Sequence, residues 1–144
     1  MTRDKKTKAY KIGYTQGAYD LFHIGHLNLI NNAKKMCDYL IVGVNSDKLI
    51  EIYKNKKPVI NENDRATIIS NLKSVDKVVI VDSLDKLSIR KQFCFDVVFI
   101  GSDWKGNERW IETEKELAKI HCDVVYLPHT DGISTSILRE IIRK

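Results

Sequence analysis

Two histidines three positions apart, His23 and His26, with Gly25 between them, stand just after an apolar run and just before a run with helical period. Placed at the first turn of a helix, this arrangement suits phosphate charge. The leading N–H groups of a helix lack intrahelical partners and its dipole is positive there, so an anion is held without a dedicated cation. Gly25 has no Cβ and lets a phosphate come close to the backbone. Either ring nitrogen of an imidazole can donate a hydrogen bond, and a protonated ring adds positive charge. Zinc is the competing ligand, but zinc sites want three or four protein ligands and no further Cys or His lies in register.

A second segment with anion-binding character is residues 129–136, His129-Thr130-Asp131-Gly132-Ile133-Ser134-Thr135-Ser136. Gly132 permits a turn, and the hydroxyls of Ser134 and Thr135 stand at the start of a following helix, where Ser134 also serves as an N-cap. Asp103 and Trp104 lie in a third segment, Gly101-Ser102-Asp103-Trp104-Lys105-Gly106, where Trp104 suits either the core or a ligand. Lys54, Lys56, Arg65 and Lys86 are cations spread between these segments.

The elements that must position these residues read as a strand–helix alternation. Apolar runs at 11–15, 39–44, 77–81, 96–100 and 123–127 have the length of buried strands. Helical spacing appears at 25–37, where Leu27, Ile30, Ala33 and Cys37 share a face. Further helices are expected from Ser46 or Asp47 through Tyr53, from an Asn61 N-cap to Leu72, at 108–120, and from about Ser134 through Ile142. The pattern predicts an α/β fold: one Rossmann-like domain with a parallel five-stranded sheet and helices on both faces. In such folds ligands bind beyond the carboxyl ends of the strands, where strand order reverses, and each segment above follows a strand on that edge.

Composition sets bounds on function. A chain of 144 residues is most simply one domain, here expected as a basic extension at 1–10 and a catalytic domain at 11–144. The formal charge of +5 suits anionic ligands, while the lack of zinc-finger spacing or an aromatic-basic strand argues against nucleic acid. Cys37, Cys94 and Cys122 are odd in number and far apart, as in reduced thiols of a cytoplasmic protein. No apolar run approaches the ~18 residues of a membrane span, so no membrane association is expected.

The ten residues from Gly17 to His26 (Gly17-Ala18-Tyr19-Asp20-Leu21-Phe22-His23-Ile24-Gly25-His26) resemble the G-x-[FY]-D-x-x-H-x-G-H signature of the nucleotidylyltransferase superfamily. Class I aminoacyl-tRNA synthetases share its four-letter core but are far longer. Residues 129–136 resemble the R-T-E-G-I-S-T-[ST] segment of cytidylyltransferases, and residues 101–106 the G-D-D-W-x-G stretch of those acting on glycerol 3-phosphate. The resemblance runs from about Ile12 to Ile142 and implies CMP transfer from CTP to a small phosphorylated alcohol, releasing pyrophosphate.

By the same resemblance His23, His26, Lys56 and Arg65 are catalytic, with Arg65 either reinforcing a phosphate site or orienting its loop. Gly17, Ala18, Tyr19, Gly25, Asp103 and residues 129–136 join them around the nucleotide. Lys54 and Lys86 hold the acceptor phosphate, with Asp103 and Trp104 beside it. Mg²⁺ is expected with CTP, held mostly by phosphates and water. A homodimer, and a product feeding wall or capsule polymers, also follow from the resemblance. The alternatives are another acceptor, such as ethanolamine phosphate or a sugar-alcohol phosphate, adenylyl transfer, or a nucleotide-binding regulator without catalysis. The chain departs from the pattern at His129, usually arginine, at Ala18, usually threonine, and at Asp131, usually glutamate. At 129 a permanent bidentate cation is thereby replaced by an imidazole.

Overall fold

The apolar run at 39–44 lacks polar alternation because both faces of its strand are covered. Leu40, Val42 and Val44 join one core cluster with Ile30, Ala33 and Ile69, while Ile41 joins a second with Ile89, Trp110 and Leu117. Successive side chains of a strand point to opposite faces, so two cores flank one sheet. The computed structural model describes residues 8–143. Most of the expected basic extension, residues 1–7, lies outside them, and at residue 10 the first strand has already begun.

The elements run β1 (Tyr10–Gly17), α1 (Ile24–Met36), β2 (Cys37–Asn45), α2 (Asp47–Lys54), α3 (Glu62–Ser70), β3 (Lys77–Val81), α4 (Lys86–Phe93), β4 (Val97–Gly101), α5 (Glu108–Ala118), β5 (Asp123–Leu127) and α6 (Thr135–Arg143). All strand pairs are parallel, in the order β3-β2-β1-β4-β5. The chain steps outward from β1 to β3, returns to β4 and steps outward the other way, so order reverses between β1 and β4. The register pairs Gly17 with Val44, Asn45 with Val81 and Gly101 with Leu127, so the carboxyl ends finish along one edge. The expected α/β architecture is the observed one.

Helix starts follow local chemistry. Ser46 accepts from Leu49 N–H, Asn61 from Asp64 N–H and Asn107 from Arg109 and Trp110 N–H, each as an N-cap. The expectation that α2 opens at Ser46 or Asp47 resolves to Ser46 as its cap, and α2 ends at Asn55, whose left-handed backbone (φ 55°) stops it before Pro58. Two helices are shorter than their periodicity suggests: α3 ends at Ser70 rather than Leu72, and α5 at Ala118 rather than 120. Helix α4 has no counterpart among the expected elements. Its sequence, Lys-Leu-Ser-Ile-Arg-Lys-Gln-Phe, buries only Ile89 and Lys86, too little for a clear stripe. Asp85 nevertheless caps it, accepting from Leu87 and Ser88 N–H.

Candidate active site

Beyond the carboxyl ends of the strands opens a cavity of about 440 Å³. Three carboxyl-end segments converge there, from the turn after β1, the 3₁₀ turn at Ser102–Trp104 after β4, and the 128–136 stretch after β5. Of the residues expected in the site, all line the cavity except Arg65, Asp131 and Gly132.

The turn after β1 carries two non-glycine residues with left-handed backbone, Tyr19 (φ 54°) and Leu21 (φ 51°). Such residues are uncommon and must be held by their surroundings. The buried Tyr19 ring does so on one side, packing edge-on to His26 at 5.3 Å between centroids. Asp20, between them, is 3% exposed and ties three segments together. Its carboxylate accepts from Val59 N–H (2.8 Å), Ile60 N–H (2.9 Å) and Arg139 Nη2 (2.8 Å), and its carbonyl accepts from Thr135 Oγ1 (2.8 Å). Burial opposes its charge, but the two N–H groups and Arg139 together outweigh burial and hold the carboxyl below the usual carboxylate range.

His23 is the N-cap of α1. Its Nδ1 accepts from Gly25 N–H at 3.0 Å, and His26 Nδ1 accepts from His23 N–H at 3.2 Å. The first-turn N–H of Gly25, expected to be free for an anion, is therefore satisfied by His23 itself. Because both Nδ1 atoms act as acceptors, the donor left on each neutral ring is Nε2–H. Burial pushes the His26 imidazole down to about 4, with His23 adding to the effect, and burial lowers His23 as well. The free protein thus presents two neutral donors near pH 7 rather than charged ones. Gly25 has a further use: a Cβ there would lie 2.9 Å from Cε1 of His23, so the bare position makes room for the ring.

The α6 end of the cavity is also partly committed. Ser134 Oγ accepts from Ile137 N–H at 3.1 Å, confirming the N-cap and leaving its own proton free to donate. Thr135, expected at the helix start with an anion-binding hydroxyl, gives that hydroxyl proton to the Asp20 carbonyl. Thr130 accepts from Asn28 at 3.0 Å, and His129 Nδ1 lies 3.7 Å from Asp103 Oδ1, an ion pair once the imidazole is protonated. Asp131 and Gly132 form the turn behind the cavity wall, where Gly132 has φ 83°.

Lys54 and Lys56 line the same cavity. The protein around Lys54, and then the charges of Lys56 and Arg139, hold its ammonium below the usual lysine range. Lys86 is 8% exposed, and burial followed by the Arg109 charge pushes it down to about 8.

The placement of Arg65 corrects its expected catalytic role. It is 1% exposed and spends its guanidinium on Ile60 O (2.8 Å), Ala18 O (2.6 Å), Asn45 O (2.7 Å) and Asp47 Oδ1 (2.6 Å). Arg65 is a positioning residue, which was one of the two readings open for it. Among the lining residues not expected in the site are two arginines, Arg109 and Arg139. Arg139 lies one helical turn after Thr135, and Arg109 next to Trp110 in the first turn of α5, so spacing from recognised site positions was the available signal.

Comparison with known proteins gives the family. The cytidylyltransferase-like family model matches residues 14–141. The glycerol-3-phosphate cytidylyltransferase of Bacillus spizizenii is 36% identical over 127 residues, which make up 88% of this chain and 92% of that protein. The bifunctional protein HldE of Caulobacter vibrioides is 41% identical over 100 residues, 69% of this chain but only 21% of the relative. Among solved structures, the lipopolysaccharide core biosynthesis protein from Thermoplasma volcanium superposes with a TM-score of 0.74 at 27% identity, covering 85% of this chain and 99% of that one.

Proposed function

The chain belongs to the cytidylyltransferase-like family and is a nucleotidyltransferase, and we propose that it transfers CMP from CTP to glycerol 3-phosphate, giving CDP-glycerol and pyrophosphate. The observation that carries this reading is the pair of neutral imidazoles, each with Nε2–H left to donate, lining one cavity with Lys54 and Lys56. The relative named for glycerol 3-phosphate, aligned over most of both chains, supports the acceptor.

The acceptor's phosphate is itself the nucleophile. One of its oxygens bonds to the α-phosphorus of CTP, and the bond from that phosphorus to the β-phosphate bridge breaks in line, so pyrophosphate leaves. The protein has to hold two polyanions together and meet the charge that spreads over the α-phosphoryl oxygens. His23 and His26 donate to that charge, His129, Thr130, Ser134, Ser136 and Lys56 hold the triphosphate, and Lys54 and Lys86 hold the acceptor phosphate. Asp20 and Arg65 fix the loops that present these groups.

Mg²⁺ fits the donor set as a hard cation arriving with the triphosphate. Asp20 is spent on its own donors, so Asp103 is the carboxylate lining the cavity that remains to approach it, with phosphate and water oxygens supplying the rest. When bound, the ion would neutralise triphosphate charge. A homodimer belongs to the same reading, and exposed Ile137, Ile141 and Ile142 on α6 offer apolar surface for it. Among the described residues no helix is long and apolar enough to cross a membrane.

Pyrophosphate release with CTP and glycerol 3-phosphate tests the proposal, with CDP-glycerol identified by mass. Release with ATP in place of CTP favours the second reading, adenylyl transfer, for which the match to relatives of another name leaves room. CTP binding without turnover would make the chain a regulator and end the proposal.

A further inference from the structure

Three aromatic rings line the cavity, Tyr53, Trp104 and Trp110. Rings grouped in this way usually receive a cationic ligand, since each face carries negative potential. Here each ring already has a cation from the protein itself. Lys54 Nζ lies 5.7 Å from the Tyr53 centroid, Lys86 Nζ 5.2 Å from that of Trp110, and Arg109 Cζ 5.8 Å from that of Trp104. The wall therefore presents positive charge where aromatic faces alone would invite an ammonium group.

Arg109 stands out among the three. It is exposed, and among the described residues its guanidinium makes no hydrogen bond or ion pair, so its five donors are free. Its charge acts on both Lys86 and the Tyr53 hydroxyl, so it lies near Lys86 as well as over the Trp104 ring. Lys86 commits one donor, to Leu84 O at 3.1 Å, and keeps the others.

We infer that Arg109 is a specificity-determining residue for the acceptor: with Lys86 it fills the aromatic wall with positive charge, admitting alcohol phosphates whose far end is hydroxylated or anionic and rejecting those ending in an ammonium group. The inference rests on the acceptor reading above and deepens it. Discrimination works by repulsion as well as attraction. A hydroxyl accepts from a guanidinium N–H, whereas a second cation is repelled by Arg109 and Lys86, with Asp85 offsetting only part of the Lys86 charge. The class of acceptor is then a polyol phosphate, not ethanolamine phosphate or choline phosphate.

The test compares kcat/KM for glycerol 3-phosphate, ethanolamine phosphate and choline phosphate, with CTP saturating, in the unsubstituted protein and in Arg109→Gln, Arg109→Glu and Arg109→Lys. The expected preference for glycerol 3-phosphate shrinks about tenfold or more in Arg109→Gln, further in Arg109→Glu, and is largely restored in Arg109→Lys. The change falls on KM for the acceptor and leaves KM for CTP unchanged. An unaltered preference in Arg109→Glu overturns the inference, as does an effect confined to KM for CTP, which would move Arg109 to the nucleotide. If the unsubstituted protein turns over none of the three, the transfer reading fails separately. Equilibrium binding of the same compounds then decides, and equal relative affinities in the unsubstituted protein and Arg109→Glu overturn the role of Arg109.

Discussion

The rings of His23 and His26 stack with centroids 3.8 Å apart and planes 22° from parallel, each anchored to the main chain through Nδ1. Two like rings this close cannot both carry charge cheaply, and His23 indeed helps depress His26. The same contacts that cap α1 therefore also set the protonation state with which the site meets a triphosphate.

Capping and donation by His26 use different nitrogens, so two substitutions separate them. In His26→Asn the amide oxygen stands near the position of Nδ1 and can keep the bond from His23 N–H, while the Nε2 donor is lost. Turnover should fall roughly 10²–10³-fold, as for an oxyanion donor, with the melting temperature nearly unchanged. His26→Ala should lose the same rate and also about 1 kcal/mol of stability with the cap bond. Near-normal turnover in His26→Asn would remove His26 from the reaction.

The depressed imidazole also makes stability depend on pH in a definite direction. Unfolded His26 titrates near the ordinary 6.5, folded His26 at about 4. As pH falls below 6.5 the unfolded chain takes up a proton that the folded one refuses, so stability present above 6.5 is progressively lost down to about pH 4. Urea midpoints at pH 7, 5.5 and 4.5 should fall more steeply for the unsubstituted protein than for His26→Asn. Parallel declines would mean that the ring is not held neutral by its surroundings.

Arg65 should behave as structure rather than as a phosphate ligand. Arg65→Lys cannot serve Ile60 O, Ala18 O, Asn45 O and Asp47 at once, and leaves buried acceptors unpaired. A loss of about 3 kcal/mol in substrate-free unfolding is expected, on the scale of breaking a buried pair. KM should rise for both substrates together, because the turn after β1 and the loop before α3 both shift. Unchanged stability with a rise confined to one KM would return Arg65 to a phosphate site.

Much of this site was legible in the sequence because its parts are local. The histidines at the helix start, Gly25 between them and the turn at Gly132 are short-range chemistry, and the parallel sheet follows from apolar runs alternating with helical stretches. Arg65 was not legible in the same way. Its partners come from residues 18, 45, 47 and 60, so its burial is a product of tertiary packing that spacing does not encode. Thr135 shows the same limit: its hydroxyl points to Asp20, 115 residues earlier, rather than to the cavity. Helix α4 went unseen because the stretch that Asp85 opens spaces its apolar residues, Leu87, Ile89 and Phe93, without a clear helical stripe.

Asp20 joins the 57–60 loop to α6, and Asp20→Asn tests whether the two are mechanically coupled. Asparagine keeps the shape but replaces one oxygen by an NH₂ group. That group must then face Val59 N–H, Ile60 N–H or Arg139, all of which donate. A donor set against a donor leaves buried groups unpaired, for a loss of about 2 kcal/mol. Loop 57–60 and the start of α6 should both loosen, so hydrogen exchange of the Val59 and Ile60 amides should quicken and KM for CTP and acceptor should rise together. The carboxyl is held below its usual range, so its stabilisation is present above the unfolded carboxylate value and disappears as pH falls through the lower folded value. In Asp20→Asn that acid-side decline should shrink. Exchange protection equal to that of the unsubstituted protein would show that α6 and the 57–60 loop are held by something other than this carboxylate.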